Sequence, residues 1–177
     1  PRSDEFPTLG PEMLDQSIER AVSLLSPGPG EVISVYTAMH GVGGAVFMKA
    51  AAAAGFPDPH PVVEQFSPDA RFPTVPFPNP EEPGAMDLSM AEARRVNADI
   101  VVANDPDADR CAAAIPFEGG WRRLTGDEVG GLLGWWIAKR AQLAGVELSG
   151  VYAQSIVSGT LLAKIAVAAE SNTAVRT

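Results

Sequence analysis

A single cysteine, Cys111, stands in a chain of 177 residues. One thiol makes no intrachain disulfide and no cysteine-based zinc cluster, and it fits a reducing, cytoplasmic compartment. Positive charge is scarce too. Thirteen Lys and Arg face 22 Asp and Glu, for a net charge of −9. That balance excludes a nucleic-acid-binding or anionic-membrane surface. It leaves phosphorylated small molecules open, because a local arginine or a metal decides those. No apolar run approaches the roughly 20 residues of a membrane span, and Pro1-Arg2-Ser3-Asp4 is no signal peptide. The first residue is proline rather than methionine, as expected of a piece of a longer protein.

What is present is apolar enough to fold. Hydrophobic residues make up 46% and charged residues 20%, so a packed core is expected and global disorder is not. Leu14, Ile18, Val22 and Leu25 recur at helical spacing and predict a helix over 11–25, with Pro11 in its first turn. The stretch Pro27–Gly30 should end it. A β-rich run over 32–36 then feeds the turn 37–44, and an alanine-rich helix follows over 44–54 with Gly55 as its cap. Val62 and Val63 read as a second short strand. The stretch 67–84 holds too many prolines for regular structure, and Thr74–Pro83 within it reads as an extended surface loop. A helix over 86–97, the strand Ile100–Ala103 and a strand over Cys111–Ile115 follow, with a turn at Gly119-Gly120. Thr125-Gly126-Asp127-Glu128 is a capping box for a helix reaching Ala144. A strand at Val151–Ser155 and a helix over 159–169 restart the pattern. Alternating strands and helices predict an α/β fold: a three-layer sandwich on a mixed, mostly parallel sheet, then a partial second α/β unit. The boundary falls near 117–124.

The densest chemistry lies in Asp105-Pro106-Asp107-Ala108-Asp109-Arg110, directly after the apolar run 100–103. Three carboxylates crowded where a buried strand leaves a sheet repel one another and are costly to desolvate. A hard divalent cation is the simplest compensator, and Arg110 adds a donor fork suited to phosphate. A solvated acidic turn is the plain alternative. An EF-hand fits poorly, with Arg110 where glycine is needed and Pro116 where glutamate is needed. A phosphatase with an aspartate nucleophile, of the haloacid-dehalogenase kind, lacks its threonine or valine two residues past the second aspartate. A Mg²⁺ loop in a phosphate-handling enzyme fits best, at the carboxyl end of a strand where α/β sheets place ligands.

Other residues invite plainer readings. His40-Gly41-Val42-Gly43-Gly44 could offer helix amides to an anion, or simply turn tightly between strand and helix. His40 reads as a structural hydrogen-bonder. Trp135 and Trp136 read as core or domain-interface packing, Arg122 and Arg123 as solvated turn charges, Glu81 and Glu82 as exposed loop charges, and Cys111 as a buried structural thiol.

Taken in order, these landmarks resemble the α-D-phosphohexomutases, the phosphoglucomutase/phosphomannomutase group. Asp105–Arg110 resembles the family's metal loop. Tyr36–Gly43 resembles the turn opening its second domain, and Pro78–Gly84 the proline-rich loop that precedes the metal loop. Leu124–Gly130 resembles the start of its third domain. The resemblance implies domain II over 1–118 and a partial domain III over 119–177. It implies an enzyme that interconverts hexose 1-phosphate and hexose 6-phosphate through an active-site phosphoserine and Mg²⁺. By position, Asp105, Asp107 and Asp109 would hold the metal, and Arg110 would lie beside the phosphoserine phosphate as the catalytic cation.

The departures are as informative. The Thr-Ala-Ser-His-Asn-Pro type of motif that carries the family's nucleophile is not in this sequence, and His40 is not that motif's histidine. The sugar-discriminating loop and the phosphate-clamping fourth domain are also not in it. The phosphoserine domain and the phosphate-binding domain of a parent chain are therefore the expected partners, alongside a phosphorylated hexose, and this chain alone is expected to be inactive. The aspartate-nucleophile phosphatase and a non-catalytic α/β binding module are the alternatives.

Overall fold

The computed structural model describes residues 9–25, 30–148, 150–156 and 158–169, together with the backbone of 172–176. The chain divides into two compact units, Pro1–Cys111 and Ala112–Thr177.

In the first unit the elements run α1 (Pro11–Val22), β1 (Ser34–Thr37), α2 (Gly44–Ala53), β2 (His60–Pro61), α3 (Val63–Phe66), α4 (Asp87–Val96) and β3 (Ile100–Asn104). Strand β1 is central. It pairs in parallel with β2 on one side and β3 on the other, Val35 lying opposite both His60 and Val101. Val35, Tyr36, Val101 and Ala103 are wholly buried. Burying each such valine stabilises the fold by about 1.5–3 kcal/mol. Parallel pairing needs crossovers, and helices supply them here. Helix α1 packs on α2, while α4 lies against β1 and β3. Asn97 ends α4 in the left-handed conformation, at φ 53°.

Two expectations shift in this unit. The second strand sits at His60–Pro61, and Val63 instead opens α3 with its side chain 77% exposed. The chain turns there because Gln65 is drawn inward: its side chain is fully buried and bonded to Thr37 and Thr74. The predicted loop 74–83, with the residues before it, is likewise more than a surface loop. Successive turns, including Phe72 N–H to Asp69 O and Glu82 N–H to Asn79 O, shape it, and Val75 and Pro80 are buried. Helix α1 ends at Val22, earlier than predicted. The proline-glycine stop lies largely outside the described residues.

Strand β4 (Cys111–Phe117) leads into the second unit and is followed by β5 (Gly120–Arg123), α5 (Gly126–Ala144), β6 (Val151–Ser155), α6 (Leu161–Ala168) and β7 (Asn172–Arg176). Strands β4 and β5 form an antiparallel hairpin. Its two-residue turn is Glu118-Gly119, both at positive φ, one place earlier than Gly119-Gly120. The strand order of the resulting five-stranded mixed sheet is β2-β1-β3-β4-β5. Strands β6 and β7 pair in parallel as a separate sheet, so the chain's end holds a strand that the sequence reading did not find.

The capping box forms as read. Thr125 Oγ1 accepts from the Glu128 amide, and the Glu128 carboxylate accepts from the Thr125 amide. Gly131 and Gly134 let α6 approach α5 closely, since a β-carbon at either would collide with Leu161 or Leu162. Trp135 and Trp136, expected in a core or interface, are 51% and 40% exposed. Trp135 lines a cavity with Ile165 and Ala168 of α6. Among the described residues no helix is long and apolar enough to cross a membrane.

Candidate metal centre

The acidic run leaves β3 and turns back at once. The Ala108 amide donates to the Asp105 carbonyl at 3.0 Å. Pro106 takes the second place of that turn, which suits its fixed φ, and Ala108 adopts a positive φ of 60°. The turn brings one carboxylate oxygen from each of Asp105, Asp107 and Asp109 to within 4.8 Å of the others. The three predicted ligands thus converge.

Their environments differ. Asp105 is 2% exposed, whereas Asp107 and Asp109 reach the surface. Asp105 accepts from both the Arg110 amide at 3.0 Å and the Arg110 guanidinium Nε at 2.7 Å. Burial alone would raise the Asp105 carboxyl; those bonds and the guanidinium charge outweigh it and hold it below the usual carboxylate range. Asp109 goes the other way. The charge of Asp107 pushes it up, with desolvation and the charge of Asp105 adding, and Arg110 offsets only part of this. Three carboxylates against one guanidinium leave surplus negative charge on clustered hard oxygens. That donor set fits a hard divalent cation such as Mg²⁺.

Asn104, Tyr36 and Asn79 bond to the run directly or through one another, and the sequence reading assigned none of them a part in the site. Asn104 spans the base of the loop, its Nδ2 donating to the Arg110 carbonyl at 2.7 Å. Tyr36 Oη donates to Asn104 Oδ1 at 3.0 Å, and the Tyr36 ring stacks on Phe47 with centroids 3.8 Å apart. Burial, aided by Cys111, pushes the Tyr36 hydroxyl up to about 12. Asn79 Oδ1 accepts from Arg110 Nη1 at 3.4 Å. Thr74 Oγ1 meets His40 Nε2 at 2.8 Å. A polar residue directly before the acidic run was the one available signal, and it pointed to Asn104. The others meet the run only through folding.

The turn after β1 explains its glycines by contact. A β-carbon on Gly41 would overlap the backbone of Pro106, and one on Gly43 would crowd Ala108 and Tyr36. The Val42 amide donates to the Pro106 carbonyl at 2.8 Å. His40 is buried and held at φ 62°. Cys111, expected to be buried, stands exposed at the first place of β4. Arg122, read as a solvated charge, pairs with Glu128 at 2.8 Å and lies over the Phe117 ring.

A carboxylate cluster and an arginine at the carboxyl end of a parallel strand stand where α/β proteins bind ligands. Residues 14–117 match the family model described as phosphoglucomutase/phosphomannomutase, alpha/beta/alpha domain II. The chain is 48% identical over 167 residues to the "Probable phosphomannomutase" of Haemophilus influenzae, covering 94% of this chain and 34% of that protein. It is 43% identical over 133 residues to the human "Phosphopentomutase", covering 74% and 22%. A crystal structure of a phosphoglucomutase/phosphomannomutase family protein from Burkholderia thailandensis superposes with a TM-score of 0.73 at 19% identity, over 92% of this chain and 32% of that one. The chain belongs to the phosphoglucomutase/phosphomannomutase family. It spans about a third of the length of the first of these relatives, or less.

Proposed function

We propose that this chain is the metal-loop portion of a phosphohexomutase that interconverts hexose 1-phosphate and hexose 6-phosphate. Residues 1–118 act as its domain II and 119–177 as part of its domain III. The observation that carries this reading is the convergence of Asp105, Asp107 and Asp109 beside Arg110 at the end of β3. These three aspartates are the metal ligands. Bound Mg²⁺ would supply charge stabilisation to a phosphoryl group in transfer. Arg110 serves as the catalytic cation. Its guanidinium is oriented by the nearly buried Asp105, yet its side chain stays 56% exposed and open to a phosphate.

A phosphoserine from another part of the parent protein completes the site. The sequence here has no such nucleophile motif, and in this reading the chain contributes the cation side of the site in a multidomain, cytoplasmic parent enzyme. Sugar choice belongs to segments that this sequence does not include. The relatives named above carry mannose and pentose names, so those names leave the sugar open.

Titration of the purified chain with Mn²⁺, followed by electron paramagnetic resonance, tests the reading. Binding should be weak, with Kd on the order of 10⁻⁴–10⁻³ M as for cation sites on open loops, and Asp107→Asn should remove it. A wild-type chain that leaves Mn²⁺ free even with excess inorganic phosphate present would overturn it.

A further inference from the structure

Thr74 and Asn79 lie five residues apart in the proline-rich segment, one against the turn after β1 and the other against the acidic loop. Thr74 meets His40, and Asn79 meets Arg110. The His40 turn in turn meets Pro106, between two of the proposed ligands, by way of Gly41 and the Val42 amide. We propose that the segment 72–82 is a positioning strap for the acidic loop, in which Thr74 fixes the His40 turn against Pro106 and Asn79 fixes the Arg110 guanidinium. This inference rests on the reading of that loop as the metal site.

The Thr74 end is a closed polar network with little freedom to rearrange. The Met39 amide donates to Thr37 Oγ1 at 3.1 Å, and Thr37 Oγ1 donates to Gln65 Oε1 at 2.7 Å. Gln65 Nε2 donates to Thr74 Oγ1 at 2.9 Å, and Thr74 Oγ1 then meets His40 Nε2. Thr37, Gln65 and His40 are all buried. The backbone closes the same ring, with His40 N–H donating to Gln65 O and Asp69 N–H to His40 O. Buried groups of this kind must keep their partners, because a buried polar group left unpaired is destabilising. Met39 and His40 both sit at positive φ, 47° and 62°. Such a conformation persists in non-glycine residues only when the surroundings fix it. The network supplies that fixation, and the turn it fixes is the one pressed on Pro106.

The Asn79 end is held as well. Asn79 Oδ1 accepts from the Glu81 amide at 3.0 Å, so its orientation towards Arg110 is set by its own turn. Neighbouring Pro80 is fully buried, which anchors the strap between its two contacts. The effect is to fix two things independently: where Asp105 and Asp107 stand relative to each other, and which way the Arg110 fork points. A residue supporting a metal ligand from behind commonly changes affinity by about 10–100-fold when removed.

The test compares the wild-type chain with Thr74→Val, Thr74→Ser and Asn79→Ala, using Mn²⁺ as the probe and the backbone amide resonances of residues 105–110 as a metal-free readout. Thr74→Val keeps the volume and deletes the hydroxyl. It should weaken Mn²⁺ binding about tenfold and shift the 105–110 resonances, while Thr74→Ser restores both. Asn79→Ala, on the loop surface side, should shift the Arg110 side-chain Nε–H resonance and leave Gly41 unmoved. Thr74→Val with wild-type affinity and unshifted amides, or Thr74→Ser failing as badly as Thr74→Val, overturns the strap. Should Thr74→Val not fold, an unmoved Arg110 resonance in Asn79→Ala does the same. A wild-type chain that binds no Mn²⁺ sinks the metal reading alone, and the amide resonances then decide the strap by themselves.

Discussion

Gly41 rests against the backbone of Pro106 so closely that even a methyl group has no place between them. Backbone on both sides means neither partner can swing away. Gly41→Ala should therefore destabilise the first unit by about 1–3 kcal/mol, the usual range for overpacking, and should loosen the acidic loop as it does so. Urea denaturation measures the first effect. An alanine variant with an unchanged midpoint would show that the turn and the loop are not in register as described.

Asp107 and Asp109 work against each other in the metal-free chain, since the charge of Asp107 is the main reason that the Asp109 carboxyl is raised. Asp107→Asn removes that repulsion. In the presence of a chelator the variant should melt at or above the wild-type temperature, and the Asp109 carboxyl should fall towards its ordinary range. Its Mn²⁺ affinity should drop at least about tenfold. Carboxyl carbon shifts across a pH series, with calorimetric melting, read both. Lower stability together with an unmoved Asp109 would contradict the electrostatic account.

Thr125 and Glu128 cap α5 reciprocally. Thr125→Ala should cost about 1 kcal/mol in the second unit. The pH dependence follows from Glu128, held below the ordinary glutamate range first by the Thr125 amide and then by Arg122. A carboxyl depressed in the folded state contributes stability above its unfolded pKa and loses it as pH falls through the folded value. Wild type and Glu128→Gln, which removes the titrating carboxyl, should therefore converge on acidification below about pH 4. A gap that stays constant down to acid unfolding would exclude the carboxylate's part in the cap.

Tyr36 makes the opposite prediction at the alkaline end. Its hydroxyl is pushed up to about 12, by burial first and by the Cys111 charge second. A raised acid favours the folded state fully below the unfolded pKa near 10 and gives that contribution back as pH climbs towards 12. Tyr36→Phe loses the bond to Asn104, about 0.5–1.5 kcal/mol at neutral pH. The difference between the two proteins should shrink between pH 10 and 12, tracked by tyrosinate absorbance alongside circular dichroism.

Activity gives the simplest check of the proposed division of labour. The purified chain should not convert mannose 1-phosphate to mannose 6-phosphate, with or without Mg²⁺, because the nucleophile motif is missing from its sequence. Turnover by the chain itself would mean that the catalytic group lies among residues described above.

Much of this was legible beforehand because it is local. The capping box needs only Thr125 and Glu128 three residues apart, and both bonds form. The alternation of helix and strand follows from apolar spacing, and the charged run Asp105–Arg110 announces itself by repulsion that something must relieve. Errors fell where a distant partner overrode a local preference. Val63 has β propensity, yet the buried Gln65 amide bends the chain into a helical turn. Cys111 begins an apolar run, yet it occupies that run's exposed first place.

The sequence by itself determined the chemistry on offer: three carboxylates and an arginine at the end of a buried strand, and no nucleophile motif to go with them. Only the tertiary structure decided how those groups are held. Thr74, Asn79 and Asn104 lie 36, 31 and 6 residues before Arg110, and no periodicity links them. Parallel pairing of β1 with β3 sets the two loops at the same end of the sheet, and once there, Gly41 can press on Pro106. Propensity acts over a few residues, whereas the positions of Asp105, Asp107 and Asp109 depend on contacts that exist only after the sheet has formed.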